Sequence, residues 1–151
     1  LPARKRFRTY TRTGAWALES REVFDVSEMV EVRARELTGH ALDYCTLVAN
    51  GKQARMTKSG VRLAIGGSVF KRFNPTSDSR LASEQILTHR VRFDELLPGY
   101  AFSARVGDVV CGGPTIDIAA CRAIVVASLG EAFALPRNVA PGRWIDERYQ
   151  L

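Results

Sequence analysis

The chain has 151 residues and a mass of 16.7 kDa, with 46% hydrophobic and 25% charged residues, which fits one domain with its own core and disfavours disorder, collagen and coiled coil. Its 22 Lys and Arg against 16 Asp and Glu leave a formal charge of +6, which permits an acidic partner such as nucleic acid, nucleotide or an acidic protein without requiring one. Three single cysteines, Cys45, Cys111 and Cys121, disfavour a disulfide framework and suit a reducing cytoplasm, and the apolar stretch around 119–129 is broken by Arg122 and Ser128 and too short to span a bilayer.

The first twelve residues carry Arg4, Lys5, Arg6, Arg8 and Arg12 with no acid, and read as an irregular arm. Residues 13–28 hold Trp16, Leu18, Val23, Phe24 and Val26 without a clean period. Regular structure is predicted from Met29, which is therefore read as a native start. On that reading residues 1–28 are a basic N-terminal extension from upstream or appended sequence, the alternative being an arm that orders on a partner.

Val30 and Val32 alternate with Glu31 and Arg33 as in a half-buried strand, and Thr38 stands where a helix N-cap belongs. A helix follows over 39–50, with Ala41, Leu42, Cys45 and Val48 on one face, His40, Asp43 and Thr46 on the other, and Asn50-Gly51 as its exit. Residues 52–60 are polar and predicted to be a loop. Val61, Leu63 and Ile65 predict a strand ending in a turn at Gly66-Gly67, with 68–73 as the returning arm of a hairpin. Asn74-Pro75 breaks regular structure, and Ser77 or Asp78 caps a short helix whose Leu81, Ala82 and Ile86 face inward, with Glu84 placed to reinforce its first turn. Strands are predicted over 89–94 and 100–106, the latter ending in a Gly107-Asp108 turn. Gly112-Gly113-Pro114-Thr115 leads into a nearly all-buried helix to about Leu129, followed by an extended 131–136 and a tail, 137–151, with Trp144 and Tyr149.

No strong catalytic constellation emerges. The Gly-Gly-Pro-Thr stretch resembles neither a Walker loop nor a dinucleotide fingerprint, so Thr115 is read first as a cap and second as a phosphate seat at a helix N-terminus. His40 and His89 lie far apart and the cysteines sit singly, which gives no metal-ligand spacing, and no cofactor is expected. Cys121 and Cys45 read as buried, inert thiols. Cys111 with His89, or Asp43 with Asp78, are the enzymatic alternatives, each weaker than its reading as a core thiol or a capping or solvated acid. The basic pattern is the stronger feature. From Lys52 to Arg92 there are nine basic residues against Asp78 and Glu84 alone, with Phe70 and Phe73 interleaved. If the hairpin and the following strand are neighbours, Arg62, Arg90 and Arg92 form one positive face; the competing reading is a solvated sheet face over core phenylalanines.

Several separated stretches resemble a known family. They are Leu37-Thr38-Gly39, Ala41-Leu42-Asp43-Tyr44, Asn74-Pro75-Thr76-Ser77-Asp78, Gly113-Pro114-Thr115 with Ala119-Ala120 and Arg122, and Ala134-Leu135-Pro136. In order and spacing these are similar to the NinX-like family of short phage and prophage proteins, over about Met29 to Pro136. The chain departs from that family at Ser79-Arg80-Leu81-Ala82-Ser83-Glu84, where a Trp and a Gly-Gly-Pro-Ile-Ile-Glu run are usual, and at Asp117, where an apolar residue is usual. The family has no established activity, so the resemblance implies a phage-related context and an α+β domain rather than a reaction. It marks Asp43, Tyr44, Asn74, Ser77 and Asp78 as polar positions lining a shared surface.

The expected fold is α+β, a two-layer sandwich in which an antiparallel or mixed sheet of about four strands is packed by two main helices and one short helix. The expected function is that of a non-enzymatic phage or prophage accessory protein in the bacterial cytoplasm, which binds and modulates or inhibits a host protein or protein–nucleic-acid complex, such as a defence component. The alternative is nucleic-acid or nucleotide binding through 52–92. The binding candidates are Asp43, Tyr44, Arg62, Phe73, Asn74, Ser77, Asp78, Arg90, Arg92 and Thr115.

Overall fold

The computed structural model describes residues 6–10, 16–23, 29–66 and 69–141. The predicted turn residue Gly67, the Trp144 and Tyr149 tail and arm residues such as Arg4 and Arg12 lie outside them. In chain order the elements begin with β1 (Arg6–Tyr10) and β2 (Trp16–Val23), which pair antiparallel where irregular chain was expected. Then come β3 (Met29–Arg33), a 3-10 turn (Ala34–Glu36), α1 (Gly39–Ala49), β4 (Ala54–Thr57), β5 (Gly60–Gly66), β6 (Val69–Arg72) and α2 (Ser79–His89). The last are β7 (Phe102–Val106), β8 (Val109–Gly113), α3 (Ile116–Leu129) and β9 (Ala132–Pro136).

The class is α+β, with three α-helices and antiparallel strands throughout the described residues. The strands are divided among several small ladders rather than gathered in one sheet: β3 with β9, a β4–β5–β6 meander, and a β7–β8 hairpin. The second helix is also not short, running eleven residues like α1.

α3 is the element around which the others pack. Every residue from Ala119 to Val126 is buried, and the helix packs against the β7–β8 hairpin, α1, α2 and the 3-10 turn. Alanines at 119, 120 and 123 keep its girth small enough for backbones to approach. The contact with β8 shows how close they come, since a Cβ added at Gly113 would lie 2.9 Å from the Ala119 amide nitrogen. In the middle of this apolar helix sits Arg122, only 7% exposed. Its Nε donates to the Leu37 carbonyl at 2.9 Å and its Nη1 to the Gly112 carbonyl at 2.8 Å, which ties the chain entering α1 and the end of β8 to one side chain. Burial pushes the Arg122 pKa below its ordinary value.

The chain ends of this body are joined by β3 and β9, from Met29 opposite Pro136 to Arg33 opposite Ala132. Beyond them Arg35 clamps both carboxylate oxygens of Glu131, at 2.8 and 2.9 Å, and donates to the Val110 carbonyl at 2.5 Å. On the other side the meander lays Ala54, Val61, Leu63 and Phe73 into the core that includes α1.

Three segments differ from the sequence reading. Residues 52–60 were expected to be a loop, but their polar residues hide β4, whose pairing with β5 supplies the hydrogen bonds that local sequence did not announce. The expected strand at 89–94 does not form: His89 ends α2, Arg90 takes a left-handed conformation (φ 54°) as its C-cap, and of the rest only Arg92 pairs, in a single bridge with Arg105 of β7. Residues 109–113 form β8, an additional strand. Of the two candidate caps for α2, Asp78 is the one whose side chain accepts from the amides of Arg80 and Leu81.

Replacing Arg122 with Met keeps the apolar stem but leaves the Leu37 and Gly112 carbonyls without that donor, so Arg122→Met is expected to lose about 2–4 kcal/mol of stability. Urea unfolding followed by circular dichroism measures this directly, and a variant as stable as the parent would show that the two carbonyls find other donors.

Candidate functional site

The register of the meander lines up three arginines. Arg55 of β4 stands opposite Arg62 of β5, and Arg62 stands opposite Arg72 of β6. Directly opposed residues point to the same face of a sheet, so the three side chains form a rung across all three strands. Like charges directly opposite one another destabilise a sheet, so this rung is held at a cost by the apolar residues on the other face. Phe70, two residues before Arg72 and opposite Ala64, is on the rung's side and 38% exposed. Arg55 extends over its ring, 4.8 Å from the centroid. The small side chain of Ala64 between them leaves the room for that reach.

Behind the meander, α1 and α2 meet the inner side of β6 at a cleft of about 300 Å³. Its floor is apolar: Leu47, Leu63, Phe73 and Leu81. Its rim is basic, with the exposed side chains of Lys52 and Lys71, and Arg72 of the rung borders it. Among the described residues none of these three cations takes part in an ion pair. The α2 wall presents Glu84, Gln85 and Thr88, with Asn50 from the end of α1 behind it.

The orientation of that wall follows from one carbonyl. Asn50 Nδ2 lies 2.9 Å from the Thr46 carbonyl, which can only accept, so the nitrogen must be on that side. The same nitrogen then donates to Gln85 Oε1 at 2.7 Å, and Asn50 Oδ1 faces His89 Nε2 at 2.6 Å. His89 is thereby assigned a proton on Nε2, and burial lowers its pKa, which favours the neutral ring. Gln85 is 8% exposed; with its oxygen taken by Asn50, its Nε2 donor is the end left for the cleft.

The sequence-predicted residues are distributed over several places. Arg62 is the centre of the rung and Phe73 is in the cleft floor, 5% exposed. Arg90 and Arg92 do not join Arg62, because the segment they belong to pairs with β7 rather than with the hairpin. Asp43 and Tyr44 were expected on a surface, yet both are buried, at 1% and 5% exposure. The 74–78 loop is folded over Asp43: the Thr76 amide donates to Asp43 Oδ1 at 2.9 Å, Pro75 is fully buried, and the Ser77 and Asp78 amides donate to the Asn74 carbonyl. Asn74 Nδ2 donates to Ser77 Oγ, and Asn74 Oδ1 is buried without a partner among the described residues. Thr115 accepts from the Ile118 amide at 3.1 Å as the cap of α3, with Asp117 beside it bound by Ser79.

Among the described residues neither enzymatic pairing, Cys111 with His89 or Asp43 with Asp78, is hydrogen-bonded. Cys111 is buried, and burial drives its thiol up to about 11, away from the thiolate a nucleophile needs. Cys121 is pushed to about 12 and Cys45 higher still, also by burial. His89 is held by Asn50, and Asp78 is occupied as a helix cap. Among the described residues no three His, Cys, Asp or Glu are grouped to hold a metal ion, and no helix is long and apolar enough to cross a membrane. Sequence reading named the rung and rim residues as bases but not their register, and it missed Asn50 and Gln85, which meet only through the packing of α1 on α2. No protein-family model matches the chain, and no curated protein matches it.

Burial raises the Asp43 carboxyl from 3.8 to about 6, against the pull of its hydrogen bonds from Thr76. The folded state then holds a proton that the unfolded chain has released between those two values, so this group's contribution to stability falls as pH rises from 3.8 to about 6 and is lost above it. Asp43→Asn keeps an acceptor for the Thr76 amide without the buried charge. It is expected to be more stable than the parent by about 1–3 kcal/mol at pH 7, with the gap closing toward pH 4, in denaturant titrations across that range. A gap independent of pH would assign the difference to packing.

Proposed function

We propose that this protein acts by binding rather than by catalysis, and that the Arg55–Arg62–Arg72 face binds the backbone of a single-stranded nucleic acid. The observation that carries this reading is the register itself: three like charges are held directly opposite one another on an exposed face, beside an exposed aromatic ring. Neighbouring strands are about 4.8 Å apart, a spacing at which long arginine side chains can reach successive phosphates. Phe70 offers the stacking platform that single strands use and duplexes hide. Fluorescence anisotropy with a labelled single-stranded oligonucleotide tests it. Arg62→Glu is expected to weaken binding by about tenfold or more, and three phosphate contacts predict a log–log salt slope of about −2. Binding that ignores both Arg62→Glu and salt would refute the assignment.

A second reading keeps the phage-type role: an accessory protein in a bacterial cytoplasm that docks on a host protein, such as a defence component. It is supported by the resemblance to the NinX-like family and by a short stretch rich in exposed apolar side chains. Phe93, Leu96, Tyr100 and Phe102 are 45%, 80%, 48% and 40% exposed within ten residues, a local concentration of apolar side chains suited to docking. Affinity capture from nuclease-treated bacterial lysate is expected to yield a stoichiometric partner that Leu96→Asp releases and Arg62→Glu retains. Capture that survives Leu96→Asp and Phe93→Asp would exclude this surface.

A further inference from the structure

We infer that the cleft between α1, α2 and β6 is a binding site for a nucleoside phosphate, with guanine as the base its wall fits. This does not rest on the strand-binding reading: Lys71 alternates with Arg72 along β6 and points to the opposite side from the arginine rung, and Lys52 precedes the meander.

Size, polarity and charge each restrict the occupant. A volume of about 300 Å³ is at the small end of ligand sites, enough for a single nucleotide and not for a dinucleotide. The floor of Leu47, Leu63, Phe73 and Leu81 suits the faces of a flat heterocycle. Lys52 and Lys71 at the rim are unpaired among the described residues, which gives positive charge at the mouth suited to a phosphate. A simple anion would leave the apolar floor uncovered, and a fatty acid would leave the polar wall unused.

That wall selects the base. Leu81, Glu84, Gln85 and Thr88 recur at helical spacing along the side of α2 that lines the cleft, so its wall offers both a carboxylate and an amide. The chain of hydrogen bonds from the Thr46 carbonyl through Asn50 fixes Gln85 with its nitrogen free to donate. An acceptor-only carboxylate and an amide donor on one wall complement guanine, whose N1–H and N2–H can both donate to a carboxylate while O6 accepts from an amide. Adenine places the N1 lone pair against the carboxylate instead. His89 is the outer brace of this arrangement, since its Nε2–H holds Asn50 in place.

Isothermal titration of the full chain with GMP, AMP, guanosine and inorganic phosphate, together with thermal-shift measurements, tests the proposal. GMP is expected to bind and raise the melting temperature, with AMP, guanosine and phosphate each weaker by about tenfold or more. Lys71→Glu, and separately Lys52→Glu, are expected to weaken GMP by a similar factor while leaving the unliganded melting temperature unchanged, since both side chains are exposed. Glu84→Gln is expected to remove the preference for GMP over AMP. A 5′-phosphorylated oligonucleotide ending in guanosine, compared with free GMP, separates a strand terminus from a free nucleotide as the source. Arg62→Glu should leave GMP binding intact, so loss of strand binding and loss of nucleotide binding are distinguishable failures. No saturable GMP binding at millimolar concentration, or binding unaffected by both lysine reversals, would overturn the site. Equal affinity for GMP and AMP would overturn the role given to Glu84 and Gln85.

Discussion

A guanidinium in the centre of an otherwise apolar helix is the constraint on which the remaining packing depends. Arg122 occupies a turn of α3 flanked by Ala119, Ala120, Ala123 and Ile124, where any charged group is costly unless every nearby dipole is arranged for it. Its bonds to the carbonyls of Leu37 and Gly112 offset that cost, and they also decide where two other parts of the chain must go. Leu37 is fully buried immediately before α1, and Gly112 is buried at the end of β8. One side chain thus sets how α1 approaches α3 and how closely the β7–β8 hairpin lies on it. The glycines of β8 make that approach physically possible, because a Cβ at Gly113 would collide with helix backbone.

From this frame the meander and α2 are positioned as consequences. α1 is clamped against α3, and its remaining surface receives the inner face of β4–β5–β6 and, at its C-terminal end, α2 through the Asn50–Gln85 and Asn50–His89 bonds. Apolar burial on the inner face holds the strands in a register that sets three arginines side by side outside. A one-residue slip would turn that face inward, so the same burial that stabilises the meander also fixes its charge pattern. The rung and the cleft are two sides of one strand pairing, the first made by its outward residues and the second by Lys71, Phe73 and Leu63.

Local chemistry made part of this legible in advance. The Thr38 to Asn50 helix, the Asp78 cap, the Thr115 cap and the buried circumference of α3 could all be read because each is set by residues within a turn or two of one another. β4 and β8 were not legible. Their residues, polar in one and glycine-ending in the other, have no period of their own and become strands only through partners. Asp43 and Tyr44 were missed as core positions for a related reason: polar type suggests exposure, while the Thr76 amide and the buried Pro75 supply the enclosure that makes a buried aspartate tolerable.

By itself the sequence determined the α+β class, the positions of the helices and the concentration of basic residues between Lys52 and Arg92, since composition and short-range periodicity carry all three. Only the tertiary structure decided which of those bases stand together. Strand register placed Arg62 between Arg55 and Arg72, and it sent Arg92 to β7 instead, a choice made by hydrogen-bonded partners far apart in the chain. The cleft was decided the same way, because Lys52 after α1, Lys71 of β6 and Gln85 of α2 meet only through how α1 and α2 pack and through nothing local to any of them.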